Sequence, residues 1–484
     1  MLKKLIRKYK DSDVVFKASI WFVLVTVVNN AASFLTQPIV NRILSVEEVG
    51  IYGVYLTWNS ILSILSTFNL CYGVLEVLIT KDKADSDNIV SSLSTVSSII
   101  WTVFFALVFI FIDPISALLK LKPIYIVVLA LTVWGDAMVQ FWCVKKRFFY
   151  LYKQYSALMV ALFVIKSVLS VTMAYFFTDR VLGRVLGMCL PPLLAAVVLY
   201  ISSLKRTGLR GITKYWKRGI KFNIPLIPHY LSSILLASSD KIMIQHLSDE
   251  TSLGLYSLAY TFSGLALIVF NAVNNAYTPT AYELIRAENY KELSKKTKPI
   301  IFIAVAFSIL LMLMAPEGVY IIGGKEYLPC LEIIPVLVLG IFFSSFYFIF
   351  SNIEFVYERT KLVFPITLLG AGLNIVLNYI FIPKVGYGAA AYTTLISYVV
   401  VALCHYLATL RIVKRNAYPM GTICIYLGVL IGATLLMPLI YKIHFLLRYL
   451  IVLATVAALG SVLLRGRRPA GNDKNGGNDE ATDL

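Results

Sequence analysis

Apolar runs of about 18 residues or more follow one another along almost the whole chain, separated by short polar segments, and each is long enough for a helix to cross the ~30 Å of bilayer hydrocarbon. Within the runs the apolar residues are continuous, as at Ile99–Ile112 and Ile124–Trp134. A backbone in hydrocarbon must satisfy its own hydrogen bonds, which leaves helices or a closed barrel. A barrel would show short alternating segments instead. The pattern predicts spans at roughly 14–38, 51–79, 89–112, 124–144, 157–177, 185–204, 222–246, 255–280, 299–321, 329–355, 362–382, 386–410, 420–440 and 446–464. The expected fold class is an all-α membrane protein with about 14 transmembrane helices.

Composition agrees: 59% of the 484 residues are hydrophobic and 14% charged, and the mean hydropathy is +0.78, well away from an ordinary soluble chain. The basic, polar start, Met1–Asp13, leads into a first apolar run too long for a cleavable signal peptide. The formal net charge of +18 does not point to nucleic acid, because the basic residues sit in short loops between spans. With the N-terminus placed in the cytoplasm, the cytoplasmic segments hold 32 Lys/Arg and the external ones nine, counting Arg448 at the start of the last span; Lys17, Lys166 and Lys241 fall inside spans. This alternating bias follows the positive-inside rule and predicts cytoplasmic termini.

The largest basic loop, Lys205–Lys221, divides the chain after the sixth span. The expected organisation is an N-terminal lobe over 1–204, a C-terminal lobe over 205–410, two further helices over 411–464, and a polar, disordered tail over 465–484. The halves echo each other. Leu44-Ser45-Val46-Glu47-Glu48-Val49-Gly50-Ile51-Tyr52 and Leu247-Ser248-Asp249-Glu250-Thr251-Ser252-Leu253-Gly254-Leu255-Tyr256 both read Leu-Ser-x-Glu and then Gly-x-Tyr, at the same point of a six-helix unit. Repeats starting on the same side are parallel, related by an axis along the membrane normal; the same residues are also ordinary capping and interface chemistry.

Ionisable groups at membrane depth are the first functional candidates. Asp136 and Lys166 lie near the middle of spans four and five. Antiparallel neighbours rising 1.5 Å per residue place both about 12–14 Å from the cytoplasmic face, within reach of one another. They form either an ion pair holding two helices or the wall of a wet cavity whose lysine meets an anion. Asp240 and Lys241 sit near the outer end of span seven, pointing about 100° apart. Lys17, Glu76 and Glu354 lie near span ends, where side chains snorkel to the interface. On span eight Asn271, Asn274, Asn275 and Thr278 make one polar stripe. Asn29 and Asn30 on span one, Asn59 on span two and Asn374 and Asn378 on span eleven add further amides. Such amides either bond between helices or line a cavity for sugar hydroxyls. Pro225 and Pro228 open span seven and make it a candidate hinge.

Six scattered cysteines without metal spacing and four isolated histidines argue against metal chemistry. No GxSxG, HExxH, Walker or GxGxxG motif appears, so no cofactor and no enzymatic activity are expected.

The stretch Gly219-Ile220-Lys221-Phe222-Asn223-Ile224-Pro225-Leu226-Ile227-Pro228-His229-Tyr230-Leu231, followed by Ser239-Asp240-Lys241-Ile242-Met243-Ile244, resembles the seventh-helix signature of Wzx-type polysaccharide flippases. The turn Leu44–Tyr52 and the segment Ile382–Ala390 resemble the same family, over roughly residues 10–464. The resemblance implies the fold of the multidrug/oligosaccharidyl-lipid/polysaccharide exporter superfamily: two six-helix lobes in a V around a central cavity, plus two C-terminal helices. It implies movement of an undecaprenyl-pyrophosphate-linked oligosaccharide to the outer leaflet of a bacterial inner membrane by alternating access, driven by H+ or Na+, in company with polysaccharide polymerase machinery. Only Asp240 and Lys241 carry over by motif. Span one has Lys17 and no arginine, unlike the first helix of the lipid II flippase branch.

On this reading Lys166 receives the anion with Lys241 and Lys17 as helpers, Asn30, Asn271, Asn274, Asn275 and Asn374 contact sugar, and Asp136, Asp240 and Glu76 exchange the coupling ion. Three alternatives stand beside it. An ion-coupled multidrug antiporter would show an acidic cavity. A membrane polysaccharide polymerase would carry a long external loop, whereas the longest here is Asp113–Pro123. A lipid-binding scaffold of an export complex remains open.

Overall fold

The computed structural model describes residues 13–208 and 211–465; the expected disordered tail lies outside them apart from Arg465. Among the described residues the secondary structure is helical throughout. The long helices are α1 (Val14–Ile43), α2 (Val46–Thr67), α3 (Ser86–Ile110), α4 (Pro123–Phe148), α5 (Tyr152–Phe176), α6 (Arg180–Thr207), α7 (Ile227–Leu247), α8 (Glu250–Arg286), α9 (Tyr290–Leu313), α10 (Ile334–Val356), α11 (Val363–Val385), α12 (Gly388–Val413), α13 (Met420–Ile440) and α14 (Phe445–Arg465). Eleven of them are by themselves long and apolar enough to cross a membrane. Helices α1 and α14 carry shorter apolar stretches, Lys17–Thr26 and Phe445–Ala457. Helix α7 is diluted by His229, Ser232, Ser233, Ser238, Ser239, Asp240 and Lys241. Of these, Ser232, Ser239 and Asp240 are buried inside the protein.

Helices α1–α6 pack on one another and α7–α12 do the same, while α13 and α14 lie against α9. There Arg448 pairs with Glu317 and Tyr441 Oη donates to Met312 O at 2.9 Å. In the first lobe α6 lies against α5 through Gly183 and Gly187, where a Cβ would fall 2.2 Å from Met173 O and 2.4 Å from Ser170 Cα. Small residues four apart let two helix backbones meet in lipid, where no hydrophobic drive between helices exists.

The second and ninth predicted spans break in the structure, and α8 carries a one-residue interruption at Gly264. The second breaks after Thr67, where Phe68 and Asn69 take left-handed φ of 50° and 52°, and resumes as a short helix, Val74–Lys81. The carbonyls of Phe68 and Asn69 are satisfied by Asn223 Nδ2 at 2.9 and 2.8 Å. The ninth stops at Met314 and restarts as Ala315–Ile322, with Pro316 in its first turn. The seventh is preceded by a separate helix, Trp216–Asn223, and a 3-10 turn holding Pro225; Pro228 falls in the first turn of α7, where no N–H is lost.

Both echoing turns are helix caps. Ser45 Oγ accepts from Glu48 N, and Glu48 Oε2 accepts from Ser45 N at 2.8 Å, a reciprocal capping box. In the second copy the extra residue moves the cap to Asp249, which accepts from Ser252 N at 2.8 Å and Ser252 Oγ at 2.7 Å. These turns mark one end of the molecule. The other end carries Lys145, Lys146, Lys205, Arg206 and the 211–221 segment and is called the basic end below.

At the basic end the lobe-to-lobe connection is tied to α3. Trp216 Nε1 donates to Ser92 O at 3.0 Å, and Lys214 Nζ meets Asp85 at 2.7 Å, joined there by Tyr215 Oη. Lys214 foremost, with Tyr215 and Asn88, lowers the Asp85 carboxyl to about 2. An unfolded aspartate titrates near ~3.9, so the tether adds stability in full above about pH 4 and loses it as the pH falls toward the folded value. Asp85→Ala is expected to speed amide hydrogen exchange over Thr213–Gly219 at pH 7. The difference from the parent should shrink, after correction for intrinsic rates, as the pH approaches 2.

Candidate functional site

Each lobe buries charge beside the contact between lobes. In the first lobe, α1, α2, α5 and α6 surround a chamber of about 370 Å³ lined by Gln37, Tyr52, Lys166, Ser170 and Arg184 among others. Lys166 Nζ lies 3.2 Å from Asp136 Oδ1, and both side chains are partly exposed. The two partners expected from their depth thus meet, and Lys166 lines the chamber. Arg184 is 4% exposed. Its guanidinium sits 3.5 Å from the Tyr52 ring centroid, and its Nε and Nη1 have no hydrogen-bond partner within the protein. No carboxylate pairs with it among the described residues. Sequence reasoning missed Arg184, assigning it to the loop before the sixth span. The available signal was its place inside Gly183-x-x-x-Gly187, since a side chain between two contact glycines is carried into the helix interface.

In the second lobe Asp240 is 1% exposed. It accepts from Tyr256 Oη at 2.6 Å, Asn378 Nδ2 at 2.6 Å and Thr394 Oγ1 at 2.7 Å. Around it Ser239 Oγ donates to Asn374 Oδ1 at 2.9 Å, Asn378 Nδ2 reaches the same oxygen at 3.1 Å, and Thr393 donates to Asn378. Four helices, α7, α8, α11 and α12, thus converge on one carboxylate. Asn374 and Asn378 are fully buried in this network; they line neither chamber, and their bonds run between helices. Lys241 turns away from Asp240, with Nζ 5.1 Å from the Tyr260 ring centroid and Cδ 3.6 Å from where a Cβ on Gly53 would stand. It faces the other lobe.

A second chamber of about 450 Å³ lies between α8 and α10, lined by Asn274, Asn275, Thr278, Tyr282, Tyr347 and Asn352 among others. It gathers part of the predicted stripe; Asn271 is exposed on the same helix. Glu76 is exposed on Val74–Lys81, apart from both charge systems. Lys17 is half-buried near the start of α1. The Asn30 side chain lies outside the described residues. Glu354 does not snorkel: it is fully buried and meets His405 Nδ1 at 2.7 Å.

The lobes meet chiefly along α2 against α7 and α8. A Cβ on Gly50 would lie 2.8 Å from Gly254 N, and one on Gly254 would lie 2.0 Å from Val46 O. Thr251 Oγ1 donates to Glu47 Oε1 at 2.7 Å across the contact, and Lys120 Nζ donates to Gln245 O at 2.9 Å. Two residues beyond each glycine stands a tyrosine, Tyr52 over Arg184 and Tyr256 on Asp240. Overpacking such a contact costs about 1–3 kcal/mol. Disulfide yield between cysteines at 47 and 251, with Cys404 and Cys424 replaced by serine, is therefore expected to fall about tenfold in Gly254→Val. An unchanged yield would mean that this crossing does not hold the lobes together.

Residues 15–285 match the family model described as polysaccharide biosynthesis protein, and residues 225–380 match the MatE model. A protein of the Lsg locus of Haemophilus influenzae is 25% identical over 363 residues, covering 73% of this chain and 88% of the relative. Among solved structures, an inward closed conformation of the lipid II flippase MurJ superposes with a TM-score of 0.71 at 16% identity, over 92% of this chain and 99% of that one. An inward-facing multidrug resistance MATE family transporter of the MOP superfamily gives 0.62 at 14% identity, over 80% and 94%. At such identities the likeness is one of fold.

Proposed function

Because the chain belongs to the polysaccharide biosynthesis protein family, on a MurJ- and MATE-like transporter fold, we propose that it flips an undecaprenyl-pyrophosphate-linked oligosaccharide from the cytoplasmic to the outer leaflet by ion-coupled alternating access. The basic end is then cytoplasmic, as are both termini, and the functional units are 1–204, 205–410 and 411–464. The observation that carries the reading is the buried Arg184, with two N–H groups unpartnered in the protein, in the same chamber as Lys166. A planar guanidinium beside an ammonium is suited to a diphosphate. An antiporter of cationic drugs would call for the opposite sign.

The chemistry of the chambers divides the labour. Arg184 and Lys166 hold the diphosphate. The amide- and tyrosine-lined chamber of Asn274, Asn275, Tyr282, Tyr347 and Asn352 contacts sugar, and the polyprenyl chain stays in lipid. Lys241 stands at the lobe contact, where it meets the anion only after the lobes part. Asp240 exchanges the coupling ion, H+ or Na+: its oxygens and those of Asn374, Thr394 and Tyr256 form an oxygen-rich cluster in the buried interior of the second lobe. Lys17, Asn30, Asn271, Asp136 and Glu76 keep secondary roles in this scheme, and Asn374 moves from sugar contact to support of Asp240. A polysaccharide polymerase would receive the flipped lipid.

A cell lacking this chain should accumulate one polyprenyl-linked saccharide on the cytoplasmic leaflet, read by mass spectrometry with sidedness in spheroplasts. A charge-assisted hydrogen bond contributes about 1.5–3 kcal/mol. Arg184→Ala and Lys166→Ala, present at normal level, should each restore flipping at rates lower by about 10- to 100-fold. Full restoration by both would sink the anion-site assignment. No accumulation, with raised drug sensitivity instead, would favour the multidrug antiporter that the MatE match also accommodates.

Asp240→Asn retains the side-chain shape but not the charge. Flipping is expected to drop and to lose its response when the proton or sodium gradient is collapsed. A variant that keeps both rate and gradient dependence would remove Asp240 from the coupling scheme.

A further inference from the structure

The second lobe holds another buried ionisable pair, toward its basic end, that the scheme above leaves unused. Glu354, two residues before the end of α10, and His405 of α12 are both 0% exposed. Their Oε1 and Nδ1 are 2.7 Å apart. The far atom of each, Glu354 Oε2 and His405 Nε2, has no partner within the protein. An unpartnered buried polar atom costs about 1–3 kcal/mol, and an apolar pair would join α10 to α12 without that penalty. Mechanical attachment is therefore a poor explanation of these two side chains.

Their surroundings suit a proton. The Tyr347 ring packs edge-on against the His405 ring, centroids 5.1 Å apart, and the same tyrosine lines the amide chamber. One aromatic side chain thus stands between a cavity and the imidazole. The facing titratable groups are phenols: Tyr347 on α10, Tyr282 of α8 beyond it on the chamber wall, and Tyr418 between α12 and α13, whose hydroxyl is engaged with Ile349 O at 2.7 Å. Asp240 on α7 has its own three donors. From α9, α11 and α13 no lysine, arginine or further carboxylate bonds to the pair among the described residues.

We propose that Glu354 and His405 form a proton-binding site of the second lobe, separate from the Asp240 network and served from the amide chamber past Tyr347. With one proton the pair is neutral or a compensated ion pair. A second proton, delivered by hydronium in the chamber onto the free imidazole nitrogen or the free carboxyl oxygen, leaves a water molecule in the chamber and one net positive charge in a dry core; its release regenerates the hydronium. No other bond is made or broken. The site therefore binds its extra proton only when water reaches it past Tyr347, which ties its occupancy to the state of the chamber.

The test uses the purified full chain. Ring-15N histidine labelling resolves four residues at most, and His405→Gln assigns the resonance. Over about pH 5–9, the window of imidazole chemistry, the His405 signals should move between protonation states in the parent and stay fixed in Glu354→Gln. A pH jump read with an indicator dye should give about one proton fewer taken up by Glu354→Gln than by the parent. Should Glu354→Gln fail to fold, the parent titration alone decides. A His405 resonance that stays in one protonation state across the range, or equal proton uptake by the two proteins, overturns the proposal. Neither readout needs a lipid-linked substrate, so the outcome is independent of the flipping assignment.

Discussion

Two helix backbones touch where α2 crosses α8, and the arrangement of both lobes follows from that contact. Gly50 and Gly254 leave no room for a side chain on either helix. Because each glycine is followed two residues later by a tyrosine, the crossing delivers the Tyr52 ring to the Arg184 guanidinium and the Tyr256 hydroxyl to the Asp240 carboxylate. The charge systems of the two lobes are therefore linked through a short, stiff contact. A capping box at Ser45 and an Asp249 N-cap, about 1 kcal/mol each, fix where these helices begin and so fix the crossing.

The same sequence motif serves opposite charges in the two lobes. In the first, a phenol face covers a guanidinium; in the second, a phenol hydroxyl donates to a carboxylate. A repeat of this kind has one geometry and two electrostatic uses. The first lobe thus buries a positive charge, Arg184, and the second a negative one, Asp240, each beside the tyrosine that follows the contact glycine.

Most of the helix map was legible because hydropathy and loop charge report on the bilayer, and both are one-dimensional signals. The Asp136–Lys166 meeting was legible for a similar reason: depth in a helix is arithmetic. The break at Phe68–Gly73 was not, since left-handed residues leave hydropathy unchanged. Arg184 was misread as a loop residue because it lies within the first turns of α6 and its neighbour, Tyr52, is 132 positions away. The amides of α11 were visible as polar residues in a span. Their target, one carboxylate on α7, was a matter of which helices adjoin. Glu354 looked like an interfacial side chain until its partner on α12 was seen.

The broken second helix has a bearing on how the chain is made. The carbonyl of Phe68 finds its donor in Asn223, 155 residues later, and Asn69 O, which already accepts from Tyr72 N at 3.0 Å, takes a second bond from the same amide. While the chain emerges from the ribosome, six membrane helices are inserted before that amide exists. The first lobe thus completes its backbone hydrogen bonding only when the connection to the second lobe has been synthesised and docked. A polypeptide truncated before residue 223 would leave the Phe68 carbonyl without this donor, whereas Asn69 O keeps its bond from Tyr72 N.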